Sequence, residues 1–180
     1  MTPALDPALQ VVLRCALALL WLVSAHHKLR DPARFRVALA GYRLIPAPAV
    51  PVFAAGIAAL ELGLGLALLL PAVGPAPALA TAALLALYAL AITANLVRGR
   101  RAIDCGCGAH PQPLGEGLVV RNAVLALIAL AAALPMTGRA LTGIDAASIG
   151  GGAAALAALY AAADAALANG VRSRALRARA

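Results

Sequence analysis

The sequence predicts an all-α membrane protein, a polytopic bundle of four to five transmembrane helices with an interfacial amphipathic helix after the first. Hydrophobic residues make up 63% of the 180 residues and charged residues only 12%, whereas soluble domains are roughly half apolar. Apolar runs recur along the whole chain, while a secretory signal would contribute one short run near the amino terminus. We therefore expect a single integral membrane domain over residues 1–180.

Five apolar runs are the predicted spans, and each is about as long as a hydrocarbon core of about 30 Å requires at about 1.5 Å per helical residue. They cover residues 9–25, 50–70, 79–97, 118–134 and 148–168. The last run is weaker, because it is rich in glycine and alanine and carries Asp164. Small residues let helices approach closely, so we expect this run to pack inside the bundle.

An amphipathic segment separates the first two spans. Between Ala33 and Leu44 the apolar residues Phe35, Leu39 and Tyr42 recur at spacings of four and three, as on one helix face. Arginines occupy other positions: Arg34, Arg36 and Arg43. This pattern predicts a helix lying in the membrane interface.

The net charge of +8 does not indicate nucleic-acid binding, because the basic residues cluster at the ends of apolar runs, where they contact lipid head groups. We expect the basic tail, residues 171–180, to lie on the membrane surface. With five spans, thirteen of the fifteen lysines and arginines fall on one side of the membrane, together with the loop after residue 101. The charge bias of short loops makes this side cytoplasmic.

That loop has the sequence DCGCGAHPQPLGEG, residues 104–117, and places Cys105 and Cys107 one residue apart. A disulfide between such neighbours closes a small strained ring, and strained, exposed disulfides exchange readily with other thiols. Arginines just before the loop favour the thiolate, whereas Asp104 opposes it. We predict Cys105 and Cys107 as the catalytic residues of a thiol-disulfide oxidoreductase or of its membrane subunit.

A second interpretation is a metal-binding or small-molecule transport protein that uses Cys105, Cys107 and His110, with His26 or His27 on the same side. Two thiols and an imidazole suit zinc or copper. The single-residue spacing is shorter than structural zinc sites use, and the chain has no second cysteine pair. A third interpretation is a non-catalytic subunit that anchors a soluble oxidoreductase. Cys15, near the other end of the first span, is expected to be a core residue.

Polar residues inside or beside the spans are further candidates. Glu61 lies near the middle of the second span, where a carboxylate must be protonated, paired or in a polar cavity. It suits a proton relay or a hydrogen bond to a quinone head group, and a structural contact between helices fits equally well. Lys28, Asn95, Arg121 and Asn122 lie towards the end that carries the cysteine loop and are predicted to form a polar cluster beneath it. Cations at helix ends also serve as interfacial anchors.

Three stretches of the chain resemble the MauE family of methylamine utilisation proteins, which is related to DoxX-like membrane proteins. They are SAHHKLRDPARF, ALELGLGLALLL, and DCGCG followed by PQPLGEGLVVRNAVL. The third is the most specific, because a Cys-x-Cys loop, a Pro-Leu pair and then Arg121-Asn122 at the start of an apolar helix follow the family's order. The histidines before Lys28 depart from the small residues expected there.

The resemblance implies a multi-pass protein of the bacterial plasma membrane. It implies redox work with a thioredoxin-like partner, in the family's named case for the maturation of methylamine dehydrogenase. A quinone is a candidate electron acceptor. This role implies cysteines outside the cytoplasm, whereas the count of basic residues predicts that they lie inside.

Overall fold

The computed structural model describes residues 4–106 and 112–177, with side chains as far as residue 170. Six α-helices account for most of this chain, and the described residues include no β-strand beyond two isolated bridges. The helices are α1 (Pro7–Arg30), α2 (Pro32–Gly41), α3 (Val50–Leu68), α4 (Ala76–Val97), α5 (Glu116–Ala132) and α6 (Gly143–Arg177). The all-α prediction is confirmed.

Two aspartates set the limits of α1. The side chain of Asp6 accepts a hydrogen bond from the backbone N–H of Ala8 and caps the helix, which begins at Pro7. Asp31 ends α1 and caps α2, where its carboxylate accepts from the N–H of Arg34. The helix therefore continues beyond the predicted span 9–25, since no helix-breaking residue precedes Pro32.

Side-chain caps show that α1, α3 and α5 meet at one end of the bundle. Arg14 of α1 donates hydrogen bonds to carbonyls at the end of α3 and in the turn that follows, including that of Leu68 at 3.0 Å. Gln10 donates to the carbonyl of Leu134, just after α5. The cysteine loop joins α4 to α5 at the opposite end, so α5 runs the length of the bundle with only 17 residues.

The interior is built mainly where α1 packs on α3 and where α4 packs on α5. Buried residues include Leu17 and Trp21 of α1, Leu64 and Leu68 of α3, and Leu85 of α4. Large apolar side chains on the outside are exposed, as at Leu90 and Leu127, which is the pattern of a lipid-facing surface. Four described helical segments are long and apolar enough to cross a membrane: Pro7–Arg30, Ala47–Leu68, Ala76–Val97 and Gly143–Gly170. The prediction of a membrane helical bundle is confirmed.

The position of α6 differs from the prediction. Only 6% of its apolar window is buried, so the expectation that this run packs inside the bundle is wrong. Helix α6 lies at the periphery and packs mainly on α1. A Cβ at Gly152 would lie 3.2 Å from the side chain of Val12, so small residues do bring the two helices together. This contact involves only one face of α6, and much of the remaining surface of α6 is exposed among the described residues. The predicted tail continues α6 as far as Arg177.

Candidate functional site at the cysteine loop

The two arms of the cysteine loop are held together by the backbone. The N–H of Cys105 donates to the carbonyl of Gln112 at 2.8 Å, and Asp104 forms an antiparallel bridge with Pro113. The carboxylate of Asp104 accepts from the N–H groups of Gly106 and Gln112, at 3.2 and 3.1 Å. The loop is therefore fixed on both sides of residues 107–111.

Cys105 is a buried residue, with 6% of its surface exposed. It belongs to an apolar cluster with Tyr42, Ile92, Leu114 and Leu118. The hydroxyl of Tyr42 donates to the backbone carbonyl of Cys105 at 3.2 Å. The second predicted cysteine, Cys107, and the alternative metal ligand His110 lie outside the described residues, so both the disulfide and the metal set stay predictions.

The cysteine loop packs against helix α2. Arg34 forms an ion pair with Asp104 at 3.1 Å. Gly106 has a φ of 75°, which favours glycine. A Cβ at Gly106 would lie 3.2 Å from the Cβ of Ala38 and 3.4 Å from ring carbons of Phe35. The apolar face predicted for this segment therefore supports the loop, and glycine permits the close approach.

Arg100 joins the end of α2 to the end of α4. Its guanidinium donates to the carbonyls of Gly41 and Tyr42, at 2.8 and 3.1 Å. It also donates to the side-chain oxygen of Asn95 at 3.0 Å. Asn95, a predicted site residue, thus orients the arginine that holds α2 beneath the loop.

Lys28 and Glu61, predicted separately, form a buried ion pair. The Nζ of Lys28 lies 2.9 and 2.8 Å from the two carboxylate oxygens of Glu61, and it donates to the hydroxyl of Ser24 at 2.6 Å. The hydroxyl of Tyr88 donates to Glu61 at 2.7 Å. Helical side chains point back towards the amino terminus, so Lys28, near the end of α1, reaches into the bundle instead of anchoring at its surface.

A continuous series of contacts links this ion pair to the cysteine loop. The Nζ of Lys28 lies 5.0 Å from the ring centroid of Phe35, a cation–π distance, and the same ring lies against Gly106. A cavity of about 340 Å³ opens at this place. Its lining includes His27, Lys28, Arg34, Phe35 and Gly106.

The remaining predicted residues belong to a separate group at the start of α5. Arg121 pairs with Asp164 of α6 and lies 5.8 Å from the ring of Tyr160. Asn122 is buried, and its Nδ2 has no hydrogen-bond partner among the described residues. The four residues predicted as one cluster are therefore separated: three of them contact Glu61, Arg100 and Asp164 respectively, and the Nδ2 of Asn122 is bonded to none of these.

No group of three His, Cys, Asp or Glu residues that could hold a metal occurs within residues 4–106 and 112–177. The rings of His26 and His27 lie 5.9 Å apart at the end of α1. Cys15 is half-buried in α1. The metal interpretation therefore depends on Cys107 and His110, which the structure does not describe.

Sequence reasoning missed several residues of the site. Ser24 and Tyr88 complete the surroundings of the ion pair, and Tyr42 and Gln112 hold the backbone of Cys105. The available signal was weak, since Tyr88 is simply the one tyrosine in its apolar run and Tyr42 was noted only as part of an apolar face. Arg14 was visible as a charge within the first span, but its role as a cap of α3 depends on the packing of two helices.

Comparison with known proteins gives one consistent result. The family model described as methylamine utilisation protein MauE matches residues 6–135, which include helices α1 to α5 and the cysteine loop. The chain belongs to the MauE family. The match ends before α6, so the ion pair and the loop both lie within the family region, whereas the partner of Arg121 lies outside it.

Curated MauE proteins are similar to this chain over most of their length. The methylamine utilization protein MauE of Paracoccus denitrificans is 34% identical over 131 residues, which are 72% of this chain and 70% of that protein. The MauE protein of Methylorubrum extorquens is 40% identical over 126 residues, 69% of this chain and 68% of that protein. That of Methylophilus methylotrophus is 35% identical over 135 residues, 73% and 71% of the two chains. No solved structure matches the chain.

Proposed function

We propose that this MauE-family membrane protein exchanges a Cys105–Cys107 disulfide with the thiols of a thioredoxin-like protein, and that it does so in methylamine utilisation. The observation that carries the proposal is the way in which the loop is held. The described residues on both sides of residues 107–111 are bonded to one another and to α2. A fixed loop maintains the strain of a short disulfide ring, which favours passing the bond on.

The link to methylamine utilisation comes from the relatives, whose names state that role. In the exchange, the partner's two thiols become a disulfide and the Cys105–Cys107 disulfide becomes two thiols. Two electrons and two protons pass from the partner to the pair. The membrane protein must then be reoxidised before it can act again.

A lipid-soluble quinone is the acceptor that we propose for this step. A second cavity, of about 270 Å³, lies between α1, α2 and α3, and its lining includes Phe35, Pro51, Ala54 and Ala58. Lys28 and Phe35 line both this apolar cavity and the one beside Gly106, so the residues present fit an apolar molecule with a polar head. When bound, a quinone would take up two electrons and two protons from the dithiol.

We propose that the cysteine loop faces the cytoplasm. The two basic residues at the opposite end are both engaged within the protein, Arg14 with carbonyls after α3 and Arg139 with Asp6 and Asp145. In the topology predicted from the sequence the other thirteen basic residues fall on the side of the loop, so the charge bias of short loops supports this orientation. The redox role that the family resemblance implies favours the opposite side, and labelling of the loop thiols in intact cells decides between the two orientations.

Disulfide transfer in purified protein tests the function. The protein in lipid nanodiscs is oxidised, mixed with a reduced thioredoxin-like protein, and the thiols of that protein are counted over time. We expect transfer by the unaltered protein and by Cys15→Ser, and none by Cys105→Ser combined with Cys107→Ser. Equal transfer by the double variant would show that the pair is not the reactive group. Stoichiometric zinc or copper that is lost in His110→Ala would favour the metal interpretation.

A further inference from the structure

We propose that four exposed arginines at the loop end of the bundle form a binding surface for the head groups of acidic phospholipids. These four, here called the arginine set, are Arg30, Arg36, Arg43 and Arg98. They lie at the end of α1, in α2, just after α2 and just after α4. The surface would select acidic lipids over zwitterionic ones, a property that a general excess of basic residues at helix ends does not assign to any particular side chain.

Most other basic side chains described at this end serve contacts within the protein and are not available to lipid. Their partners are Glu61 for Lys28, Asp104 for Arg34, the carbonyls of Gly41 and Tyr42 for Arg100, Glu116 for Arg101 and Asp164 for Arg121. The structure therefore separates the basic residues of this end into an engaged group and the arginine set.

The charge of the arginine set is not compensated by any carboxylate of the chain. The sequence has seven aspartates and glutamates, and six of them are in ion pairs with other basic residues. The seventh, Asp31, caps α2 by accepting a hydrogen bond from the N–H of Arg34. Within the described residues the four guanidinium groups thus form a surplus of positive charge that requires an anion from outside the protein.

Each member of the arginine set adjoins a large apolar residue that is also exposed. Val37 and Val97 are the most exposed of these neighbours, at 74% and 83%. Apolar surface is unfavourable in water, and a cation beside an exposed apolar residue is typical of a membrane interface. This pairing favours a lipid surface over a soluble acidic protein as the occupant. The pairs are Leu29–Arg30, Arg36–Val37, Arg43–Leu44 and Val97–Arg98.

Arg43 adds a separate observation from the backbone. It follows α2 with a φ of 51°, and its N–H donates to the carbonyl of Ala40 at 3.1 Å. Glycine usually occupies this left-handed position after a helix, because a side chain is disfavoured there. An arginine at this position carries an exposed guanidinium beyond the end of α2, and binding of a phosphate would offset the unfavourable backbone conformation.

The chemistry of the arginine set fits a phosphate diester with a net negative charge. A guanidinium binds phosphate oxygens through two parallel N–H donors. Phosphatidylglycerol presents this group with no positive charge beside it, whereas the choline of phosphatidylcholine would oppose the arginines. Each basic residue near an acidic membrane surface strengthens binding by about fivefold. The acidic cytoplasmic leaflet agrees with the orientation proposed for the loop.

Lipid binding to the delipidated protein in detergent tests the proposal. Phosphatidylglycerol and phosphatidylcholine are titrated separately, and bound lipid is counted by native mass spectrometry. We expect the unaltered protein to prefer phosphatidylglycerol by at least about tenfold, since several arginines each contribute about fivefold. The variant that combines Arg30→Gln, Arg36→Gln, Arg43→Gln and Arg98→Gln should lose this preference.

Two control variants separate loss of charge from loss of fold. Changing the same four arginines to lysine keeps the charge and should retain most of the preference. Arg101→Gln combined with Glu116→Gln removes an exposed pair with no net charge and should leave the preference unchanged. No preference in the unaltered protein, or full preference in the glutamine variant, would overturn the proposal. Full preference together with slower disulfide transfer would assign the arginine set to an acidic protein partner instead.

A second measurement uses the unaltered protein and locates the lipid. The protein is placed in nanodiscs that contain a small fraction of phosphatidylglycerol or phosphatidylcholine, each with the same photoreactive group in its acyl chain. We expect phosphatidylglycerol to give more crosslinks than phosphatidylcholine on the peptides that contain Leu29, Val37, Leu44 and Val97. Equal crosslinking by the two lipids at these peptides would contradict the proposal. Neither measurement depends on cysteine chemistry, so their outcome is independent of the proposed thiol-disulfide exchange.

Discussion

The Nζ atom of Lys28 lies 2.9 and 2.8 Å from the two carboxylate oxygens of Glu61, with both residues buried between α1 and α3. Ser24 and Tyr88 supply further hydrogen bonds to the pair. A buried ion pair of this kind depends on both partners, because removing one leaves an uncompensated charge. Lys28 also contacts the ring of Phe35, which contacts the cysteine loop. Loss of the ion pair should therefore affect both the stability of the protein and the position of the loop.

Glu61→Gln should lower the free energy of unfolding by about 3 kcal/mol, because Lys28 is left buried without a countercharge. The measurement is denaturant unfolding of the protein in mixed micelles. Glu116→Gln is the matched control, since Glu116 pairs with Arg101 on an exposed surface, where ion pairs contribute little. Lys28→Met combined with Glu61→Leu should recover most of the stability. Equal effects of the two glutamine substitutions would contradict the structural role of the pair.

Gly106→Ala should slow disulfide transfer, because the new methyl group meets Phe35 and Ala38. Gly99→Ala is the matched control. Gly99 also has a positive φ, 72°, but a Cβ there would have nothing within 4 Å. Both substitutions carry the backbone cost of about 1–2 kcal/mol for a left-handed residue, so the difference between them isolates the contact with α2. If both variants transfer disulfides equally fast, this contact does not position the loop.

Tyr42→Phe should raise the rate at which Cys105 reacts with glutathione disulfide in the protein that lacks Cys107 and Cys15. It removes the hydrogen bond to the carbonyl of Cys105, and such a bond contributes about 1 kcal/mol. Tyr88→Phe serves as the control, because it removes the same group from a hydroxyl that is bonded to Glu61. An unchanged rate in Tyr42→Phe would mean that other contacts keep Cys105 covered.

The orientation is tested in intact cells that produce the Cys15→Ser protein. The loop thiols are labelled with a membrane-impermeant thiol reagent before and after mild reduction, with a permeant reagent as the control. We expect labelling by the permeant reagent alone, as the distribution of basic residues predicts. Labelling by the impermeant reagent after reduction would show that the loop faces outside the cytoplasm and that its thiols form a reducible disulfide.

Acid should weaken the contact between α1 and the segment after α5. The two hydrogen bonds from Arg139, each 2.9 Å, lower the pKa of the Asp6 carboxyl below its usual value of 3.8. Because the pKa of Asp6 is lower in the folded protein than in the unfolded chain, its ionised carboxylate stabilises the folded state at pH values above the unfolded pKa. This stabilisation is lost as the pH falls through the lowered pKa. Thermal unfolding between pH 7 and pH 2 measures it.

Arg139→Ala should reduce the loss of stability on acidification that comes from Asp6. Arg36→Ala is the control, because Arg36 is an exposed arginine of α2. The two variants should therefore differ most in how much stability they lose on acidification. The prediction fails if Arg139→Ala and the unaltered protein lose the same stability over this pH range.

Some features of the site could be predicted because they depend on local sequence. The spacing of Phe35, Leu39 and Tyr42 indicated a helix with one apolar face, and Phe35 of α2 and Tyr42 just after it contact the cysteine loop. Glu61 in an apolar run required a partner, and it has one. Neither pattern identified the contacts, since Lys28 and Phe35 reach Glu61 and Gly106 only through packing between segments distant in sequence.

The sequence by itself determined that this protein is helical and lies in a membrane, because long apolar runs satisfy their backbone hydrogen bonds within each helix. It also determined that two thiols share one short loop. Only the tertiary structure decided that α2 supports that loop, that Cys105 is a buried residue of the loop, and that α6 lies outside the bundle. The physical reason is that burial and ion pairing depend on which helix faces meet. In an almost uniformly apolar chain the hydrophobic pattern carries little information about those faces, so a few polar contacts and close approaches of small residues set them.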